Sequence, residues 1–564
     1  MPHTPRHPIR LALLALPAAL LAACGGGTDQ AQSSAPPVQL AATVVSSEPA
    51  QPVQSLQSVP AVSLDALPPT VLAAPAPQTN ADGAALTVSA DGGIDTSNPF
   101  FKPLGNGRSC ASCHSEGAGW SVTPSLLQQR FAQSSGTDPI FRLVDGATSP
   151  LAASATIDQK RLAYSMLLTK GLIRVGIALP ANAEFTLASV DDPYGYASAK
   201  ELSLFRRPLP SANLKFLSTV MWDGREMQTG ANAANCLLAV QPALCYASVD
   251  SSLLSQASDA VRGHAEAAQA LSAADQRAIV NFESALFTAQ QTSSAAGSLT
   301  DAGALGGALA LSNTAFYFGI NDLVAGDYRT QAPFNRNVMT MFAAWRNLDA
   351  PAPQAAQAIP PAQNAPPPPP PPPAGGRGAP PPPPPPGQPA QPVQPVQPVQ
   401  PVPPAQPSAI NLARASIARG EALFNNRPIN ITRVAGFNAP QRGSCASCHS
   451  TPNAGSHSVP LLLDIGIADA RLRTPDLPLY TLRNTATGET IETTDPGQAL
   501  VTGRWRDVGK MKVPTLRGLS ARAPYFHNGA QSDLAGVVRF YDRRFQIGLT
   551  QQEMADLTAF LKAL

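Results

Sequence analysis

The five residues CASCH occur twice in the chain, within NGRSCASCHSEG (106–117) and QRGSCASCHSTP (441–452). Each copy sets two thiols three positions apart with an imidazole directly after the second. That spacing is the attachment signature of c-type haem. The thiols bond the two vinyl groups, and the histidine is delivered to the iron as its proximal ligand. A thioredoxin-like redox pair and a zinc half-site are the competing readings. Two copies, each followed by a glycine-containing loop, leave them little room. Cys110, Cys113 and His114 are therefore assigned to haem 1, and Cys445, Cys448 and His449 to haem 2. A chain so marked must fold around two covalently held cofactors.

The N-terminus sets the compartment. Arg6 and Arg10 precede an apolar run, Leu11 to Ala23, too short for the ~20 residues that span a bilayer. The pattern is a secretory signal peptide over 1–23. LAAC (21–24) resembles a bacterial lipoprotein cleavage box, with Cys24 lipidated; an ordinary signal peptide cut nearby is the alternative. Either way the mature chain is exported, and the expectation is a periplasmic protein anchored to a membrane through its lipid. In an oxidising compartment paired cysteines default to disulfides, so Cys236 and Cys245, which lack an attached histidine, are expected to form one. A net charge of +2 with 13% charged residues offers no basic field for nucleic acid.

Residues 24–95, rich in Ala, Pro, Gln, Ser and Val, read as a disordered tether. Residues 350–408 carry two proline runs and QPV repeats, an extended linker of the polyproline type. Between and after them lie two regions expected to fold, 96–349 and 409–564. Apolar positions recur at helical spacing over 273–290 and 550–564, and no strand-rich region stands out. The expected fold is mainly α, with one haem per region.

LPSANLKFLSTVMWDGREMQTG (209–230) and GKMKVPTLRGLSARAPYFHNGAQSDLAGVVRFYDRR (509–544) resemble the bacterial di-haem cytochrome c peroxidase superfamily, which includes the di-haem enzyme that matures the quinone of methylamine dehydrogenase. The resemblance covers both folded regions and neither the tether nor the linker. It implies two cytochrome c-like helical domains, a tryptophan between the haems and one calcium ion. By position Trp222 corresponds to that tryptophan. The calcium ligands fall on the Asn213 side chain and the carbonyls of Arg522 and Pro524, although Asn213 lies closer to Trp222 than the family pattern has it. In SQASDAVRGHAEAAQ (255–269) the family's distal glutamine corresponds to Gln256 and its glutamate, ten residues on, to Glu266; His264 is an alternative acid/base. The histidine that closes haem 1 in peroxidase members has no counterpart, because Ser115 to Gly263 contains none. Haem 1 is thus expected to be open. The distal ligand of haem 2 corresponds to Tyr541, with Met511 as rival; His527 is expected to support the haem interface, and His457 to lie too close to His449 to cross the iron.

The function these expectations describe is reduction of hydrogen peroxide to water with electrons from a small donor, a cytochrome c or cupredoxin. Haem 2 passes the electrons through Trp222 to haem 1. An oxidase or oxygenase acting on a protein or organic substrate is the first alternative, a non-catalytic electron-transfer cytochrome the second, and a proline-rich scaffold with passenger haems the third.

Overall fold

The computed structural model describes residues 76–227, 249–350, 406–437 and 441–564. The expected signal peptide, Cys24, the Cys236–Cys245 disulfide and nearly all of the proline-rich linker lie outside the described residues. Among the described residues, eleven helices are joined by eleven strands in four antiparallel sheets, so "mainly α" is corrected to a mixed architecture. No helix there is long and apolar enough to cross a membrane.

Strand pairing starts inside the stretch read as a tether. Gln78–Asn80 and Gly83–Ser89 form a four-stranded sheet with Leu286–Ser293 and Gly297–Ser298. The segment is poor in large apolar residues, and its partner supplies them. Val88 and Ala85 are buried, and Val88 packs in one cluster with Phe287 and Phe216. The helix expected over 273–290 stops early for a related reason. It spans Ala273–Ser284, capped by the Ser272 hydroxyl on Asp275 N–H, and the chain then turns into strand Leu286–Ser293. Phe287, Thr288 and Thr292 favour the strand, and pairing with residues 83–89 outweighs local helical periodicity.

The C-terminal helix forms as its pattern demands, over Gln551–Lys562. Thr550 and Glu553 close a capping box at its start. Leu557, Phe560 and Leu561 are buried against helix Ala409–Asn426. The two helices meet at Gly420, where a Cβ would stand 2.0 Å from the Asp556 carbonyl oxygen. Their shared core also holds Phe342 and Trp345, stacked at 5.0 Å between ring centroids.

The stretches before and after the linker interlock. Strand Phe185–Asp191 pairs with Leu479–Asn484, which pairs in turn with Thr490–Thr493. Arg206 forms a bidentate ion pair with Asp495 (2.7 and 2.8 Å) and also reaches Asp223 of the WDGR motif at 2.5 Å. All three side chains are buried. Charges removed from water this completely hold only when matched and oriented, so the triad fixes the register of the two stretches.

Candidate haem sites and the wall between them

Both CASCH cassettes fold by the same local device. Ser109 N–H donates to the Ser112 hydroxyl (3.0 Å), and Ser444 N–H donates to the Ser447 hydroxyl (3.0 Å). Each tight turn then returns the histidine N–H to the carbonyl of the first cysteine, His114 to Cys110 at 3.0 Å and His449 to Cys445 at 3.1 Å. The serine before each first cysteine and the serine inside each cassette are thus part of the folding signal.

Each imidazole is oriented through Nδ1. His114 Nδ1 lies 3.1 Å from the Trp120 carbonyl, and His449 Nδ1 lies 2.5 Å from that of Gly455. A proton on Nδ1 leaves the Nε2 lone pair for a metal. Burial pushes the His449 pKa down to about 4 and lowers that of His114, so both rings stay neutral. The four cassette thiols are unpaired. Cys110, Cys113 and His114 line one cavity enclosing about 1320 Å³, and Cys445, Cys448 and His449 line another of about 1640 Å³, both volumes including the part open to solvent. Two thiols, a neutral oriented imidazole and a largely apolar wall at each place fit c-type haem.

Trp222, Arg207, Pro208, Leu209 and Lys512 line both cavities. This is the wall between the sites, and the tryptophan singled out in the sequence stands in it. Its indole N–H donates to the Arg207 carbonyl (2.8 Å), and its own carbonyl accepts from Lys512 N–H (2.8 Å). The His527 ring packs edge-on to it at 6.2 Å. Lys512 Nζ donates to the Thr219 carbonyl (2.7 Å), and burial pushes its pKa down to about 7.

In the first cavity Gln256 and His264 both line the wall, and Glu266 does not. Glu266 is exposed and accepts from Asn106 Nδ2 at 2.8 Å. His264 Nδ1 lies 2.5 Å from Asp145 Oδ2, and Asp145 also ion-pairs with Arg108 at 2.6 Å. Burial would raise the Asp145 pKa, but the His264 hydrogen bond and the Arg108 charge bring it below its ordinary value. Asp145 and Arg108 were not legible as site residues, since Asp145 lies 119 positions from His264 with no motif around it. Glu283 was missed as well. It lines the same cavity with one carboxyl oxygen buried and without a hydrogen-bond partner among the described residues, and burial pushes its pKa up to about 8.

The second cavity holds both distal candidates, Tyr541 and Met511, in one cluster with Trp222, Phe526 and Phe540. His457 is buried and lines neither cavity; it borders a small gap together with Lys512. His527 also lines neither cavity; it contributes its carbonyl, which accepts from Arg207 N–H at 2.6 Å.

The calcium ligand set does not fit. Asn213 is buried and committed to a strand: Nδ2 donates to the Thr288 carbonyl (2.8 Å) and Oδ1 accepts from Thr288 N–H (2.9 Å). The Arg522 carbonyl accepts from Arg207 Nη2 (2.9 Å).

No protein-family model matches the chain. It is similar to the cytochrome-c peroxidase IdrP1 of Pseudomonas sp. (strain SCT), with 31% identity over 174 residues, 27% of this chain and 41% of the relative. It is 32% identical to the cytochrome c peroxidase Ccp of Escherichia coli (strain K12) over 131 residues, 23% of this chain and 24% of the relative. It is 28% identical to the cytochrome c551 peroxidase of Nitrosomonas europaea over 137 residues, 24% of this chain and 35% of the relative. The chain thus spans about two fifths or less of each relative.

Proposed function

We propose that this chain, a member of the bacterial di-haem cytochrome c peroxidase superfamily, is an exported peroxidase that reduces hydrogen peroxide to water with electrons from a small redox protein, a cytochrome c or a cupredoxin. The observation that carries the reading is the pair of cysteine–histidine cavities sharing Trp222 as a wall. Haem, when bound, supplies an iron that accepts electrons and cleaves the peroxide O–O bond.

The chain's own residues do the rest. Cys110 and Cys113 would hold the haem through thioether bonds, and the Trp120 carbonyl, by engaging Nδ1, leaves His114 Nε2 free to ligate its iron. Asp145 holds Nδ1 of His264, which leaves Nε2 to take a proton from the proximal peroxide oxygen and return it to the leaving one. His264 is preferred to Glu266 because it lines the cavity. Gln256 orients peroxide through its amide. Two electrons and two protons convert one peroxide into two waters. Trp222, fixed by the Arg207 carbonyl, stands on the electron route from the second site. Export to the periplasm and a lipid on Cys24 belong to the same reading.

Tyr541 in the second cavity favours one other reading, oxidation of a protein or organic substrate by the same centres. Steady-state turnover of the holoprotein separates the two. With hydrogen peroxide and reduced cytochrome c or cupredoxin, two donors oxidised per peroxide consumed is the expected result. A holoprotein that exchanges electrons with the donors and leaves peroxide untouched refutes the peroxidase reading.

A further inference from the structure

Arg207 is 5% exposed and has no carboxylate partner among the described residues. Its guanidinium is ringed by backbone carbonyls instead. Nη1 donates to Lys170 O (2.7 Å), and Nη2 donates to Val122 O (2.7 Å) and Arg522 O (2.9 Å). The three oxygens come from three separated segments: the loop after the first cassette, the end of helix Ser165–Lys170, and the turn before Pro524. A shell of neutral oxygens gathered from distant loops is the environment a protein builds for a hard cation. Here the cation is a side chain.

The backbone of the same residue holds the wall between the two cavities. Its N–H donates to the His527 carbonyl, and its carbonyl takes the Trp222 indole N–H. A second guanidinium, that of Arg522, folds back onto the carbonyls of Gly518, Thr515 and Arg517. A divalent ion at the Arg522 carbonyl would meet both positive groups.

We propose that Arg207 is the resident cation of the inter-haem wall. Its guanidinium takes the place of a calcium ion, joins the three segments, and thereby positions Trp222 between the sites. The chain needs no calcium to keep the two haems in register. This inference concerns the architecture of the wall and stands whether or not peroxide is the substrate.

The test uses the full-length holoprotein. Metal analysis after gel filtration in calcium-containing buffer should find no stoichiometric calcium. The melting temperature and the rate of electron equilibration between the haems should be the same in EGTA and in CaCl2. Stoichiometric bound calcium, with either readout falling on chelation, overturns the proposal. Arg207→Gln removes the fork and leaves the carbonyl shell. In EGTA it should melt several degrees lower than wild type and equilibrate electrons more slowly. CaCl2 should restore both, and MgCl2 should not, because Mg²⁺ demands a smaller, near-octahedral shell. A variant that melts and equilibrates like wild type, with no response to calcium, also overturns it. If the glutamine variant does not fold, Arg207→Lys keeps the charge and loses the planar fork. It should then show slowed equilibration with a smaller loss of melting temperature, and wild-type equilibration refutes the positioning role.

Discussion

Replacing Glu283 by glutamine should remove a pH dependence from stability. The carboxyl lines the first cavity, is 5% exposed, and has one oxygen without a hydrogen-bond partner among the described residues. Burial pushes its pKa from 4.5 to about 8. Between those values the folded protein holds a proton that the unfolded chain has released. Stability from this group is therefore fully present below the unfolded value and is lost as pH rises through the folded one. From pH 5 to pH 7 the loss is roughly 2–3 kcal/mol at ~1.4 kcal/mol per unit of differential protonation. An entropy of unfolding near 2 cal/mol/K per residue over the roughly 400 described residues turns that into a shift of about 2–4 °C in melting temperature. Glutamine has the same shape and no proton to lose. Melts of holoprotein, followed by calorimetry at pH 5 and pH 7, isolate the group as a difference of differences: the wild type should lose these degrees relative to Glu283→Gln. Equal pH slopes for the two proteins would mean that the carboxylate is solvated or paired, and the reasoning fails.

Three further outcomes follow from the sites. His264→Ala should lower peroxide turnover by about 10²–10⁴-fold, the usual worth of a positioned acid/base, with Glu266→Gln close to wild type; steady-state assays reversing that order would return the role to Glu266. Trp222→Phe should keep the absorption spectrum of each haem and slow equilibration between them about tenfold, equivalent to ~1.4 kcal/mol on the barrier, read by stopped-flow reduction from the donor side. Tyr541→Phe and Met511→Leu discriminate the ligand of the second haem: whichever variant converts its electron paramagnetic resonance signal from low to high spin has lost the sixth ligand, and Tyr541 is the expected one.

What the sequence made legible was chemistry packed into contiguous residues. CASCH carries its thiols and its histidine within five positions. WDGR likewise announced Trp222, and the apolar spacing over 550–564 announced the last helix. Pieces assembled from distant positions were not legible. Asp145 becomes meaningful only when folding brings it to His264, and Arg207 only when Val122, Lys170 and Arg522 turn their carbonyls toward it. The strand at 83–89 was hidden for the same reason, since its apolar partners sit two hundred residues away in the strand at 286–293. Asn213 illustrates the opposite error, an asparagine of the right type whose amide is claimed by a neighbouring strand.

The sheet that joins Phe185–Asp191 to Leu479–Asn484 bears on how the chain acquires its shape. Pairing residues nearly three hundred positions apart raises contact order and defers closure until the later strand has arrived. Until then residues 185–191 present an unpaired edge, the kind of template on which strands of other molecules add. The delay also has a use. The four cassette thiols line interior cavities and are partly covered in the folded chain, so they are most accessible before these late strands close. Slow long-range pairing keeps that interval open.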